Sequence, residues 1–209
     1  MNNQIELDHV FCFSSPLLPE VDMLSRYQFL IGLGRNHPGQ GTANRCVMFK
    51  KNYLELIYLY SEDESKKNQL KLYRRANWKQ TGASPFGIAL RGTLSTRDLE
   101  QFISYKPDYL QTGTILIHKH DDRLPLIFLM PYPVNKNYLD QNFIDHPNGS
   151  DRISFLSISG PNYHWPLETP LANTIIKHDD KIHMEIKIQG YNREAFLLND
   201  IVEISPSTN

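Results

Sequence analysis

Cysteine is scarce in this chain: Cys12 and Cys46 are the only two in 209 residues. Both sit in apolar, strand-like runs at no metal-ligand spacing. They read as buried free thiols in a reducing cytoplasm, with a disulfide the less favoured alternative. Long apolar runs are missing as well. None approaches the ~20 residues that span a bilayer, so no membrane partner is expected. The opening MNNQIELDHV has no basic start followed by an apolar core, so no signal peptide is expected either. Formal net charge is -1, which gives no electrostatic case for nucleic acid or an anionic membrane.

What remains is ordinary for a globular protein, with 40% hydrophobic and 22% charged residues. A compact fold of this length buries roughly 70% of its unfolded surface, so it needs no staple. The richest stretch runs from Arg35 to Leu59, RNHPGQGTANRCVMFKKNYLELIYL. Its first half is a polar loop that carries Gln40, Thr42, Asn44 and Arg45. Gly39 and Gly41 permit positive φ and close approach by a ligand. The loop lacks phosphate-loop spacing, so no nucleotide cofactor is expected. The second half, YLELIYL, sets Glu55 among apolar neighbours, either on a wet sheet face or held inside for chemistry.

Two cycles of similar pattern fill most of the chain. Ile5–Phe13 reads as a strand, and Val21, Leu24, Gln28 and Ile31 follow at helical spacing. Arg45–Lys50 and Tyr53–Tyr60 read as a hairpin across Lys51-Asn52. Residues 61–83 read as an exposed, charged excursion, with the alternative that Tyr73 and Trp78 fold back onto the body. The second cycle begins with a strand over Pro85–Arg91. A helix capped by Ser95 follows, with Leu99, Phe102 and Ile103 as its apolar stripe and Pro107 as its stop. Thr112–His120 and Leu124–Met130 then make a strand pair. Laid together, His9 falls on Gly87, Val21 on Leu99 and Leu24 on Phe102. Each half reads as βαβββ once one further strand is granted. Pro131–Ser150 reads as a connector or lid. Ile153–Ile158, Ile182–Ile188 and Ala195–Ile204 read as strands of a third, incomplete copy.

LDHVFCF, HPGQGTANRCVMF, YLELIYL, SPFGIALR and the later HPNG together resemble the glyoxalase-like domain family of the vicinal oxygen chelate superfamily. The resemblance implies an α+β fold of paired βαβββ modules curling around a shared cleft. On that reading residues 1–150 are a glyoxalase-like domain of two modules (about 1–80 and 84–135), and 151–209 are a partial third module packed on it. It further implies a small-molecule ligand and a chain that works as a monomer or homodimer. The implied function is binding, and conversion, of a small oxygen-bearing metabolite by a lyase, isomerase or dioxygenase. The alternative is a non-catalytic binding module of the same fold with a degenerate metal site.

The superfamily holds a divalent metal on a His of the first strand and a Glu of the last strand in each module. Carried over, His9 and Glu55 match the first pair. The second pair fails, because Gly87 stands for the His and Ile127 or Phe128 for the Glu. His9 and Glu55 therefore either share a metal or pair without one; without it, Glu55 is a candidate general base for a proton next to a carbonyl. Two protein ligands are fewer than the three usual in catalytic zinc or facial-triad iron sites. Gln40, Thr42, Asn44 and Arg45 form either a substrate-binding rim, Arg45 fixing an anion, or a self-bonded turn. Arg91 points into the cleft or lies on the surface, and Trp78 is either a lid aromatic or an anchor of the excursion. His146 closes over the cleft or serves turn chemistry. His118, His120 and Asp122 suit a solvated hairpin tip better than a metal cluster.

Overall fold

The computed structural model describes residues 4–109, 113–119, 121–130 and 141–207. The first cycle contains β1 (Gln4–Phe13), α1 (Pro19–Arg26), β2 (Asn36–His37), β3 (Thr42–Met48) and β4 (Tyr53–Leu59). Residues 61–83 carry three short helices, α2 (Glu62–Lys67), α3 (Tyr73–Ala76) and α4 (Trp78–Thr81). The second cycle contains β5 (Phe86–Thr93), α5 (Thr96–Leu99), β6 (Phe102–Tyr105), β7 (Ile115–His118) and β8 (Leu126–Leu129). The strands of both cycles join in one eight-stranded sheet of order β2-β3-β4-β1-β5-β8-β7-β6. Each half is a βαβββ module whose first strand pairs in parallel with its last, β1 with β4 and β5 with β8. The antiparallel pair β1–β5 joins the halves. β2 and β6 supply the further strand that the repeat requires.

Alternation along the central strands sorts their side chains onto two covered faces. Val10, Cys12, Leu54, Leu56, Ile88 and Leu90 enter one core, while Phe11, Phe13, Ile57, Ala89 and Phe128 belong to the other. Because both faces are covered, YLELIYL reads as a nearly continuous apolar run. Burial of each large side chain contributes about 1.5–3 kcal/mol. The first core is closed by the tail: β9 (Arg152–Gly160), β10 (Thr174–His178), β11 (His183–Gln189), β12 (Phe196–Asn199) and β13 (Val202–Pro206). Leu156, Ile158, Met184, Ile186, Val202 and Ile204 belong to the same cluster as Val10 and Leu56. The opposite face of the large sheet is the concave, cleft-bearing one.

The tail forms its own five-stranded sheet, β10-β9-β11-β13-β12. Its pairings repeat the inner part of the large sheet: β9 with β10 and β11 with β13 are parallel, and β9 with β11 is antiparallel. Among the described residues it carries no α-helix. The run Ala195–Ile204 is two strands, because Asn199 accepts from the N–H of Ile201 and turns the chain.

Three local expectations change. Ser95 does cap α5, accepting from the Asp98 N–H at 3.0 Å, but the helix lasts a single turn. Phe102 and Ile103 leave it for β6, where an aromatic and β-branched run pairs with β7; sheet pairing outweighs a weak helical stripe. The excursion is not merely a solvated loop, since Leu72 is 1% exposed and Arg75 is buried. The Arg75 guanidinium donates to the carbonyls of Ser84 and Leu124, and burial lowers its pKa to about 10.

Candidate functional site

A cavity of about 280 Å³ opens on the concave face. β1 and β4 run side by side, with His9 opposite Tyr53 and Phe11 opposite Glu55. Both His9 and Glu55 are buried, so the carboxylate is held inside rather than on a wet face. The register of β1 on β5 slips between Leu7 and His9, a bulge that adds Asp8 to the strand. Bulges re-aim side chains, and here Asp8 Oδ1 meets Nδ1 of its own neighbour His9 at 2.6 Å. An ionised carboxylate only accepts, so the proton sits on Nδ1. The ring stacks on Tyr53 with centroids 4.2 Å apart, which fixes its plane. Nε2 then faces Glu55 Oε2 at 3.5 Å.

The other carboxylate oxygen is held by β3. Asn44 Nδ2 donates to Glu55 Oε1 at 2.6 Å and lies 3.4 Å from His37 Nε2. An amide nitrogen donates only, so His37 accepts at Nε2 and gives its Nδ1 proton to Thr42 Oγ1 at 3.0 Å. Burial above all, with Arg35 and His9 adding to it against Glu55, lowers the His37 pKa and keeps the ring neutral. The resulting chain of contacts runs from Thr42 through His37 and Asn44 to Glu55. Gln40 lines the same cavity, and its Oε1 is buried without a hydrogen-bond partner among the described residues.

Gly39 and Gly41 do adopt positive φ, at 74° and 72°. The close approach they permit is by the chain itself. A Cβ on Gly39 would lie 2.3 Å from Asp108 Oδ2, and one on Gly41 would lie 2.2 Å from Ser61 O. Gly39 N–H donates to Glu64, and Gly41 O accepts from the N–H groups of Tyr60 and Ser61. The loop is thus a self-bonded turn that aims His37, Gln40 and Asn44 inward.

The second module presents different chemistry. On β5 and β8, Gly87 lies opposite Leu126 and Ala89 opposite Phe128. Matching these pairs to His9–Tyr53 and Phe11–Glu55 puts Phe128, not Ile127, at the second Glu position. Among the described residues no group of three or more His, Cys, Asp or Glu side chains is placed to hold a metal ion. The donors among the described residues do not fit a centre with ligands from both modules.

Of the residues singled out in the sequence, the cavity gathers His9, Glu55, Gln40 and Asn44, with Thr42 behind His37. Arg45 points away from it, its Nη1 on the carbonyl of Asn44, because β3 starts at Thr42 and alternation sends residues 44 and 45 to opposite faces. Arg91 pairs with Glu6 at 3.2 Å and Asp8 at 3.7 Å. Trp78 packs on the core beneath the excursion. His146 is buried elsewhere: Nδ1 accepts from Leu30 N–H at 3.0 Å, and Nε2 donates to Met48 O at 2.9 Å. His118 sits against Phe102, Asp122 pairs with Arg74, and His120 lies outside the described residues. Both cysteines are free; Cys46 lines the cavity, and burial, then Glu55, pushes its thiol pKa well up. Sequence reading missed Asp8 and His37. The adjacency of Asp8 to His9 was a signal only if a bulge was foreseen.

A family model described as a glyoxalase-like domain matches residues 7–169. No curated protein matches. A hypothetical protein from Staphylococcus aureus has the same fold over 98% of this chain and 100% of its own, at 14% identity and a TM-score of 0.60. Methylmalonyl-CoA epimerase from Mycobacterium tuberculosis aligns with 61% of this chain and 88% of its own, at 14% identity and a TM-score of 0.40. A hypothetical protein from Bacillus halodurans aligns with 61% and 94%, at 16% identity and the same TM-score of 0.40.

Proposed function

We propose, for a chain that belongs to the glyoxalase-like domain family, that the cleft binds a small oxygen-bearing molecule and moves a proton on it. The observation that carries this reading is the placement of Glu55, fixed at Oε1 by Asn44 and facing His9 with Oε2. Glu55 Oε2 takes the proton from a carbon next to a carbonyl, and the electron pair moves onto the carbonyl oxygen. His9 Nε2 relays that proton, the imidazolium balanced by Asp8 at Nδ1. With the proton of the adjacent hydroxyl passed to the carbonyl oxygen, return of the carbon-bound proton to the former carbonyl carbon completes an isomerisation; re-formation of the carbonyl with expulsion of a leaving group from the next carbon instead completes a lyase reaction.

Divalent metals are common in this fold family, but the second module offers Gly87 and Phe128 where further ligands would stand. No step is therefore routed through a metal, and the dioxygenase reading falls behind the other two. Stoichiometric metal in protein purified without chelator would reverse that ranking. The unpaired thiols of Cys12 and Cys46 suit a reducing compartment, and we place the protein in the cytoplasm. Both modules lie in one chain, which supports a complete cleft in a monomer or in each half of a homodimer.

The test uses hydroxyacetone in deuterated buffer, with loss of its α-proton signal followed by proton NMR. Exchange above the buffer rate is expected, falling by roughly 10²- to 10⁴-fold in Glu55→Gln. Binding without exchange would favour the second reading, a non-catalytic module, which the absence of a second His and Glu supports.

A further inference from the structure

The two modules meet the cavity with opposite chemistry, and their registers show position by position how. β1 and β5 pair antiparallel with Val10 opposite Ile88. A local two-fold through that pair carries His9 onto Gly87, and the strand registers then carry Tyr53 onto Leu126 and Glu55 onto Phe128. An imidazole, a phenol and a carboxylate are thus matched by a bare backbone, an isobutyl group and a phenyl ring. The space above Gly87 is filled from the other strand. A Cβ on Gly87 would lie 2.1 Å from the Phe11 ring, so only glycine lets that ring lie there. Phe128 touches His9 edge-on at 5.3 Å, and its ring lies 6.3 Å from that of Phe11. The boundary between the polar and apolar halves therefore runs between His9 and Phe128. Among the cavity-lining residues on the strands of the second module, the polar side-chain atom is the Tyr105 hydroxyl, already accepting from Asn68 at 3.0 Å.

We infer that Phe11, which packs over Gly87, forms with Leu126 and Phe128 a subsite for a ring-sized apolar group of the ligand, at the positions where a second pair of metal ligands would stand. The ligand is then amphipathic: its carbonyl and adjacent oxygen lie toward Glu55, Asn44 and His9, and its apolar end lies across the two-fold on Phe128. This rests on the reading of the cleft as a binding site for a small carbonyl compound. It adds the class of substituent that such a compound carries.

Two α-hydroxyketones that differ only in that substituent test the inference. Hydroxyacetone carries a methyl group and 2-hydroxyacetophenone a phenyl ring; each is titrated into the full chain by calorimetry. Burial of the ring is expected to tighten binding by roughly 10- to 100-fold. Phe128→Glu should erase that preference, read as the ratio of the two affinities in the variant. Because a buried carboxylate there can unfold the chain, Leu126→Ala serves as a second variant, expected to lower the preference several-fold in a folded protein. Equal affinity for the two ketones, or a preference that survives both substitutions, overturns the subsite and leaves the carbonyl-binding reading standing. Failure of both ketones to bind overturns the two together.

Discussion

Asn44 and Glu55 are bonded diagonally across the β3–β4 hairpin: the amide donates to Oε1 at 2.6 Å, although the strand register sets Cys46, not Asn44, opposite Glu55. The bond supplies a donor to a buried carboxylate, which needs one. Asn44→Ala should therefore cost about 1–3 kcal/mol of stability, read by urea unfolding. It should also slow α-proton exchange on hydroxyacetone, because the carboxylate is free to turn. A variant as stable as the parent would deny that the bond holds Glu55.

Asp8 fixes the tautomer of His9 through the 2.6 Å contact at Nδ1. In the parent, nitrogen NMR of the His9 ring should show the proton on Nδ1. In Asp8→Asn the replacement amide offers a donor as well as an acceptor, and that signature should be lost. Exchange on hydroxyacetone should fall by at least ~10-fold, while its binding by calorimetry changes less. An unchanged ring spectrum would remove Asp8 from the site.

The fold was legible wherever one periodicity governs a whole element. β1, β3, β4 and β5 were readable because each is a buried strand closed by a turn. The repeat then brought His9 to Glu55, since the first and last strands of a module are neighbours. Legibility ended where one residue changes the geometry. The bulge at Asp8 depends on which residue of β5 stands opposite, and nothing local encodes that. The glycines of the loop are legible as positions of positive φ, but the groups that approach them, Asp108 and Ser61, belong to the chain itself rather than to a ligand. Arg45 was grouped with Asn44 because β3 was expected to begin at residue 45. Its start at Thr42 puts the two on opposite faces.

Asp98 ties the second module to the tail. Its carboxylate accepts from the N–H groups of Glu168 and Thr169 at 2.8 and 3.0 Å and from the Thr169 hydroxyl at 2.6 Å. Burial pushes its pKa up, but the bonds from Thr169, Glu168 and Ser95 outweigh it, and the net shift is downward. The contribution is then present above the unfolded pKa of about 3.9 and lost as pH falls through the lower folded value. Asp98→Ala should cost about 1.5–3 kcal/mol near neutral pH, and the gap from the parent should close in acid. A gap independent of pH would mean that Asp98 acts by packing alone.

His146 carries the opposite sign. Its ring lies between Phe29 and Phe49, with both nitrogens committed to the main-chain groups of Leu30 and Met48. Burial lowers its pKa against the opposing pull of the Met48 carbonyl and Asp145. A base whose folded pKa lies below its unfolded value of about 6.5 binds more protons unfolded than folded, so stability rises with pH through that window. Stability should therefore be complete above about pH 7 and drain away as pH falls toward the lowered folded value. His37 and His118, both lowered chiefly by burial, add to the same slope. His146→Phe separates two effects. Near pH 7.5 the variant should be less stable by about 1–3 kcal/mol, because the N–H of Leu30 and the carbonyl of Met48 lose their partners. Between about pH 7.5 and about pH 5.5 it should lose less than the parent does, because one titrating group is gone. Urea unfolding at the two pH values reads both. Parallel losses in parent and variant would show that His146 does not titrate in this window. Calorimetry with hydroxyacetone supplies the control: His146 lies outside the cavity, so a folded variant should bind as the parent does, and weakened binding would return His146 to the cleft.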